Sequence, residues 1–466
     1  MRTDARSIAL LSALLATAGV AREAQALTAC TAAQISSQDS GCPTGTGPCS
    51  ITKDFTIGNG CVLDFGTRAV TLAATGKLLI APNAVTLKAG SFTVAPNGFI
   101  DGRGLAAPVD HGGFMTIQTT GAVAVQRSGS SIGRINVSGD AIGGTINIQA
   151  GGSVNISGDL HADKLSSLAS AGTIVITAKN DVITTSTSSI SAIGSKLGSG
   201  SIDFSAGGRI DLGTTIDVSG DEGGSLDLAA GADAVVRRVR GDGTGDAGSG
   251  ADVTILAGTS IQLLDQITLT GSTSIDGTFG GCGGSLDVEA DFGDITVVSN
   301  LLIDGAGPDG GGGDLCLMAT GSVIIQGLGV VSAKSNGGLG CGGAVEIDAG
   351  QNVQNSGQID ASGGLGGGSI DITATGNVTL DNLVTARAFT DGGFGGDVSI
   401  DAAFFGLGTL LARSVLDARG GGCNDAQGCG FGGTVDLGGC DVNLTSTGQI
   451  LAGANAGGAN SFSARR

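Results

Sequence analysis

The sequence predicts an all-β protein: a right-handed parallel β-helix, a solenoid with three strands per turn and about 15 turns. Three observations lead to this fold. A short phrase of glycine, alternating apolar and polar residues, and alanine recurs along the chain. The alternation has the period of two that half-buried strands show. The 88 glycines of the chain gather between those strands, where tight corners are expected.

Twelve copies of the phrase follow one another between residues 143 and 464, as in GGSLDLAA at 223–230 and GGSIDITA at 367–374. The last glycines before the strands run from 144 to 458, a mean spacing of (458 − 144)/11, about 28.5 residues. A second strand and often a third follow in each unit. Each strand is expected to pair with its counterpart one turn away, at about 4.8 Å. Right-handed crossovers are the rule between parallel strands, which gives the predicted hand.

Residues 1–26 have the pattern of a secretory signal peptide. Arg2 and Arg6 precede an apolar run that is too short to span a bilayer, and small residues flank a cleavage site before residue 27. We therefore expect an exported protein, extracellular or at the cell surface, with no transmembrane segment. One alternative stays open, because Leu-Thr-Ala-Cys at 27–30 matches a lipoprotein box that would place a lipid anchor on Cys30 and tether the chain to an outer membrane.

Ten cysteines in an exported chain favour disulfides over zinc or catalysis. Four of them crowd the start of the mature chain, so residues 27–60 are predicted to form a disulfide-stapled cap over the open end of a β-helix at 61–466, with regular repeats from 143. These four are Cys30, Cys42, Cys49 and Cys61.

The other candidate disulfide cysteines are Cys282, Cys316, Cys341, Cys423, Cys429 and Cys440. Cys423 and Cys429 are close enough in sequence to close a local loop. Cys282 and Cys341 hold the same repeat position two turns apart, about 9.6 Å, which is too far for a direct bond. The remaining pairing stays open at this point.

The formal net charge of −19 makes nucleic acid an unexpected partner, because a strongly acidic chain repels phosphate backbones. Most of the acid is aspartate, and part of it should stack in one column along the first strand of each turn. Two interpretations of that column stay open: solvated side chains, or Ca²⁺ bound at Asp203, Asp227 and Asp397. No other cofactor is expected.

Repeats of the kind GGSIDITATGNVTL, at 367–380, behind a signal peptide resemble the β-helical stalks of filamentous-haemagglutinin-type adhesins and other bacterial surface or secreted β-helix proteins. The resemblance covers residues 60 to 464. It implies a non-catalytic, exported structural or adhesive rod, whose partners would be surface glycans or proteins. No titratable cleft is needed for such a role.

The alternative is a polysaccharide-degrading enzyme, because pectate-lyase-like and polygalacturonase-like enzymes share this solenoid. The best local cluster for catalysis is Asp101, Arg103, Asp110 and His111, in an irregular segment just before a strand. Sugar-processing clefts usually stack rings on Trp or Tyr, and the chain contains neither. The non-catalytic role is therefore the favoured prediction.

Overall fold

The computed structural model describes residues 26–105, 110–167, 169–195, 198–327, 329–402, 408–424, 428–453 and 459–464. These residues form a parallel β-solenoid of about 14 turns with three strand-bearing faces. The predicted fold class is confirmed, and the turn count lies close to the expected 15. The proposed signal peptide lies, but for residue 26, outside the described residues.

Face 1 is the most regular of the three faces and contains 15 parallel strands. A full strand has six residues with alternate side chains inside, as in Ser369–Ala374. Adjacent strands pair in register, so that Ile370 has Val345 on one side and Val398 on the other. The strands of face 1 are Cys61–Asp64, Ala84–Ala89, Phe114–Thr119, Thr145–Ala150, Thr173–Ala178, Ser201–Ala206, Ser225–Ala230, Asp252–Ala257, Ser285–Ala290, Asp314–Ala319, Ala344–Ala349, Ser369–Ala374, Asp397–Ala402, Thr434–Gly439 and Ala459–Ala464.

Face 2 follows face 1 in every turn after the first and consists mostly of three-residue strands. Two longer strands, Ile210–Asp217 and Ala234–Arg240, continue around the corner into face 3. The other strands of face 2 are Cys49–Ile51, Ala69–Leu72, Ser91–Val94, Val123–Val125, Val154–Ile156, Val182–Thr184, Ile261–Leu263, Ile295–Val297, Val323–Ile325, Val353–Asn355, Val378–Leu380, Thr409–Ala412 and Asp441–Leu444.

Face 3 closes the triangular section, and inward side chains from all three faces meet in one apolar core along the rod. Two antiparallel strand pairs lie outside the coil, Arg127–Ser128 with Ser131–Ile132 and Cys423–Asn424 with Gly428–Cys429. The remaining strands of face 3 are Leu27–Ala29, Asp54–Ile57, Lys77–Leu79, Phe99–Asp101, Arg134–Asn136, Asp159–His161, Ser189–Ser191, Ile267–Thr268, Leu301–Leu302, Val330–Ser332, Gln358–Asp360, Val384–Thr385, Val415–Asp417 and Gln449–Leu451.

The N-terminal segment 27–60 combines a cap with part of the coil. Leu27–Ala29 pairs with Asp54–Ile57 in face 3, so the solenoid begins before residue 61, earlier than the sequence predicts. The single described helix, Ala32–Gln38, starts with a capping box in which the Thr31 hydroxyl accepts a hydrogen bond from the Gln34 backbone. Its Ile35 is fully buried at this end of the core, which is the covering role expected of the segment.

Glycine pairs precede the strands of face 1 because backbones of successive turns nearly touch there. A Cβ on Gly368 would lie 1.9 Å from the carbonyl oxygen of Gly343, and a Cβ on Gly343 would lie 1.9 Å from that of Gly313. Neither glycine is among those with positive φ. Close backbone approach, one of the two reasons expected for these glycines, therefore accounts for the repeated pair.

The corners of the coil differ in how much their length varies. Between faces 1 and 2 most turns use three residues, such as 151–153 and 375–377. Between faces 3 and 1 the connection ranges from three residues at 58–60 to 16 residues at 269–284. Variation in the length of the repeat is therefore concentrated at one edge of the rod, beside face 3.

Candidate functional site

The three faces carry different charges. Apart from the two long strands that continue into face 3, the strands of face 2 contain one acid, Asp441, and no base, whereas face 3 mixes acids and bases that form ion pairs. The strands of face 1 contain 13 acids and one base, Lys88. These acids are Asp64, Asp203, Asp227, Asp252, Asp287, Glu289, Asp314, Glu346, Asp348, Asp371, Asp397, Asp401 and Asp436.

Carboxylates at the ends of face 3 strands help to turn the chain. Five such strands end in Asp or Asn, and each side chain accepts the backbone N–H of the residue two positions later, at 2.9–3.3 Å. Asx turns of this kind fix the start of a corner. The residues are Asp101, Asn136, Asp217, Asp360 and Asp417.

Asp101, the first residue of the predicted catalytic cluster, is fully paired. It accepts two hydrogen bonds from Arg103, at 2.8 Å from Nε and 3.0 Å from Nη2, and Lys77 Nζ lies 2.9 Å away. Burial alone would raise the pKa of Asp101, but the bonds from Arg103 and Lys77 outweigh it and hold this pKa below its ordinary value. Lys77 and Arg103 also lie over the Phe99 ring, at 5.1 and 5.3 Å from its centroid. This arrangement stabilises the strand end and leaves Asp101 poorly suited to proton transfer.

Asp110 and His111, the other half of the predicted cluster, form a separate pair. His111 Nε2 lies 3.5 Å from Asp110 Oδ1, and both side chains are substantially exposed. Among the described residues no ion pair connects them with Asp101 or Arg103. The four residues are thus two local pairs, not one catalytic group.

A second cluster, centred on His161, lies on face 3 two turns beyond Asp101. His161 Nδ1 is 2.7 Å from Ser191 Oγ, which donates to Asp163 Oδ2 at 2.8 Å. Asp163 Oδ2 is itself 3.4 Å from the same ring nitrogen, and Nε2 lies 4.0 Å from Asp159 Oδ2. In a nucleophilic triad the serine and the carboxylate contact opposite ring nitrogens. Here both contact Nδ1, so the three residues do not form one.

Asp159, on the same strand as His161, belongs to this cluster. Its nearly buried carboxylate receives Arg127 Nη2 at 2.9 Å and Arg134 Nη2 at 3.1 Å, one on each oxygen. Two cations on one buried carboxylate compensate for its desolvation. The pairing holds the strand Asp159–His161 and the segment 127–134 together on the outside of the coil.

An open depression of about 700 Å³ adjoins the cluster. His161, Asp163, Asp217 and Arg237 line it, together with Arg238, which is paired with Asp265 at 3.0 Å. Such a surface can bind a polyhydroxylated ligand through many weak hydrogen bonds. The sequence indicated no site here, because the lining residues come from five successive turns. Its hydroxyl-bearing residues are Ser186, Ser188, Ser189, Ser191, Thr214 and Thr215.

The candidate Ca²⁺ ligands do not share one site. Asp203 and Asp227 are direct partners in adjacent strands, which confirms the predicted column. Asp397 begins a strand seven turns from Asp203, roughly 34 Å away at the spacing of paired strands, and it accepts a hydrogen bond from Thr434. Within the described ranges no three metal-binding side chains gather around one point.

Three disulfides are present: Cys30–Cys61, Cys42–Cys49 and Cys423–Cys429. The first two staple the N-terminal segment, as predicted, and the third closes the expected local loop. Because Cys30 uses its sulfur in the bond to Cys61, this form of the chain has no thioether position for a lipid.

The other predicted disulfide cysteines lie beside or within face 1, and Cys282, Cys316 and Cys341 are on three successive turns. Cys282 and Cys341 are exposed and unbridged, and a Cβ on Gly311, in the turn between them, would lie 3.8 Å from Cys282 Sγ. This agrees with the predicted two-turn separation. Cys316 is unbridged between Asp287 and Glu346, and Cys440 is half-buried near the last strands.

No helix in the described part of the chain is both long and apolar enough to cross a membrane. Comparison of the chain with protein-family models, curated proteins and solved structures finds no match. The function must therefore be inferred from the chemistry of these faces and depressions.

Proposed function

We propose that this chain is an exported, non-catalytic β-helix that acts as a rigid structural or adhesive element at the cell surface or in the extracellular space. The observation that carries the proposal is that carboxylates on face 3 are already engaged by other groups of the protein. Asp101, Asp159 and Asp417 are occupied by arginines, and Asp217 and Asp360 by turn hydrogen bonds. A catalytic carboxylate must instead be available to substrate.

Export is supported by the disulfides, because such bonds persist in oxidising compartments and are rare in the cytosol. In the proposed form Cys30 is bonded to Cys61, so the rod is released or held by its partners and not by a lipid on Cys30. Retention at a surface would then depend on the faces of the rod.

Adhesion is supported by the regularity of those faces. Face 1 presents outward side chains once per turn in straight columns, and its acids repeat along most of its length. A flat, repeating surface can bind an extended glycan or protein at many weak points, so that the total affinity comes from the number of contacts.

A polysaccharide lyase or hydrolase is the second candidate, and the depression beside His161 is the observation that favours it. His161 and Asp163 line this depression with side chains that can exchange protons. An enzyme of this kind would degrade an uncharged or acidic polysaccharide laid along face 3.

Fractionation of a bacterial host that expresses the full chain tests export. We expect the protein outside the cytoplasm with the Cys30–Cys61 bond formed, as measured by mass spectrometry of non-reduced peptides. Cytoplasmic accumulation of a chain with reduced cysteines would contradict the proposal. Binding of the purified rod to immobilised cell-surface glycans and proteins then separates an adhesive role from a purely structural one.

Depolymerisation assays separate the rod from the enzyme. The wild-type chain should release no oligosaccharides from pectin or related polymers. Activity that disappears in Asp163→Asn but persists in Asp436→Asn, a substitution on face 1, would establish the second candidate instead.

A further inference from the structure

A second depression, of about 620 Å³, opens on face 3 in the C-terminal part of the rod. It shares no lining residue with the depression beside His161. We propose that it is a binding site for an organic anion: a carboxylate held by Arg387, carried on an aromatic or apolar body that packs against Phe389. This site is independent of the proposed role in export and adhesion.

The first observation is that basic residues cluster at this depression, although the C-terminal part of the chain has few of them. Between residues 241 and 453 the described chain has 23 acids and four bases, namely Lys334, Arg387, Arg413 and Arg419. Three of these four bases line the depression. The acids among the lining residues are Asp360 and Asp417, so the depression is locally positive on a strongly acidic rod. Such a place attracts anions.

The register explains how the three bases come together. Ser335 donates to the carbonyl of Ser362, Gly363 to that of Arg387, and Ala388 to that of Arg419, at 2.9–3.0 Å. Lys334, Ser362, Arg387 and Arg419 therefore hold the same position in four successive turns. At the spacing of paired strands, the column from Lys334 to Arg419 is about 14 Å long.

Arg387 is the guanidinium of this column that remains available. Asp417 engages Arg419 through two hydrogen bonds, at 2.9 and 2.8 Å. Asp360 accepts from the Ser362 backbone at 3.0 Å and lies 3.5 Å from Gln358 Nε2. Arg387 is exposed, and among the described residues no carboxylate lies within 4.0 Å of it. Its planar donors match the two oxygens of a carboxylate.

The uncharged lining residues indicate the chemistry of the rest of the ligand. Phe389, two residues after Arg387, is 47% exposed and adjoins the depression. Leu383 and Val415 add apolar surface to the lining, and Ser335 and Asn336 add polar groups. The volume is far larger than an inorganic anion needs. A ring or chain that bears a carboxylate fits this combination better than phosphate or sulfate does.

The probe is 4-hydroxycinnamate, which joins a carboxylate, an apolar ring and a hydroxyl. Calorimetric titration of the disulfide-bonded full chain with this acid should show saturable binding of one molecule of the acid per chain. The neutral amide of the same acid should bind at least tenfold more weakly. Arg387→Gln should weaken binding of the acid at least tenfold, and Phe389→Ser several-fold.

Arg413→Gln is the matched control, because Arg413 is an exposed arginine of the same region that lies outside the depression and pairs with Asp381 at 2.9 Å. This variant should bind the acid within twofold of the wild type. Circular dichroism and the melting temperature check that each variant folds. Absence of saturable binding, equal binding of acid and amide, or an unchanged Kd in folded Arg387→Gln would each overturn the proposal.

Discussion

Asp203 and Asp227 lie directly opposite each other on adjacent turns of face 1, and burial together with the charge of Asp227 raises the pKa of Asp203. A raised pKa means that the folded chain holds this proton more tightly than the unfolded chain does. The stability contributed by Asp203 therefore decreases as the pH rises above its ordinary value of 3.8.

Replacing Asp203 by Asn should stabilise the protein at pH 7. The repulsion is screened by solvent, so the expected gain is a few tenths of a kcal/mol, smaller at high salt. Asp436→Asn is the control, because its partner in the preceding turn is Ser399. Urea unfolding at low and high salt measures the free energy of unfolding of both variants. A loss of stability in Asp203→Asn at low salt would contradict the prediction.

Asp101→Asn should destabilise the N-terminal turns by roughly 1–3 kcal/mol, because Arg103 and Lys77 would lose a charged acceptor. The lowered pKa of Asp101 has a matching consequence for pH. Its contribution is present above the ordinary value of 3.8 and lost as the pH falls through the lower, folded value. Thermal unfolding from pH 7 to pH 2 tests this. Asp110→Asn, at the exposed pair with His111, should change stability by less than about 0.5 kcal/mol.

Gly368→Ala should be strongly destabilising, because its Cβ would lie 1.9 Å from a carbonyl oxygen of the neighbouring turn. The clash involves backbone on both sides, so relief requires the turns to separate, and we expect a cost of several kcal/mol. Gly338→Ala is the matched control, since its Cβ would meet only the Thr390 methyl, at 3.8 Å. Hydrogen exchange should show faster opening around residues 343–374 in Gly368→Ala alone. Equal protection in the two variants would refute the explanation offered for the glycine pairs.

Removal of the Cys30–Cys61 bond, by Ser at both positions, should cost roughly 3–4 kcal/mol, because the bond links residues 31 apart. Removal of Cys423–Cys429, which spans six positions, should cost roughly 2 kcal/mol. Repeat structures unfold locally, so each loss should appear in nearby turns only. Limited proteolysis followed by mass spectrometry locates the first cleavages. Cleavage that begins in the same central turns in both variants would argue against local stabilisation.

Cys316 should react slowly with iodoacetamide at pH 8. Burial raises the pKa of its thiol to about 11, and the charges of Glu346 and Asp287 add to the effect. Little of the thiol is then in the reactive thiolate form. The exposed Cys282 and Cys341 should be modified at least tenfold faster, as measured by peptide mass spectrometry. The Glu346→Gln/Asp287→Asn double variant should accelerate Cys316 several-fold, whereas Asp441→Asn on face 2 should not.

The regular part of the fold was predictable because the phrase that marks face 1 recurs in twelve of its 15 strands. The outward column from Asn147 through Asp203 to Asp436 was expected from that phrase, and the register confirms each step. The first turn was not predictable. Its strand Leu27–Ala29 has three residues and is separated from its partner by a helix, so no period marks it.

The clusters on face 3 could not be predicted from the sequence either. His161 meets Ser191 only because two turns with different corner lengths bring their third strands into register. Residue spacing alone cannot align positions across a corner that varies between three and 16 residues. Local pairs such as Asp101 with Arg103 are visible in sequence, but whether they are catalytic or structural depends on their neighbours in adjacent turns.

The corner between faces 1 and 2, which is three residues long in most turns, has a consequence for how such a chain can evolve. Whole coils can be duplicated or deleted without disturbing the side-chain columns of the others, so the rod changes length in steps of one coil. Insertions of other sizes are concentrated at the edge between faces 3 and 1. New recognition loops would therefore accumulate along that edge, while the opposite corner stays a fixed scaffold.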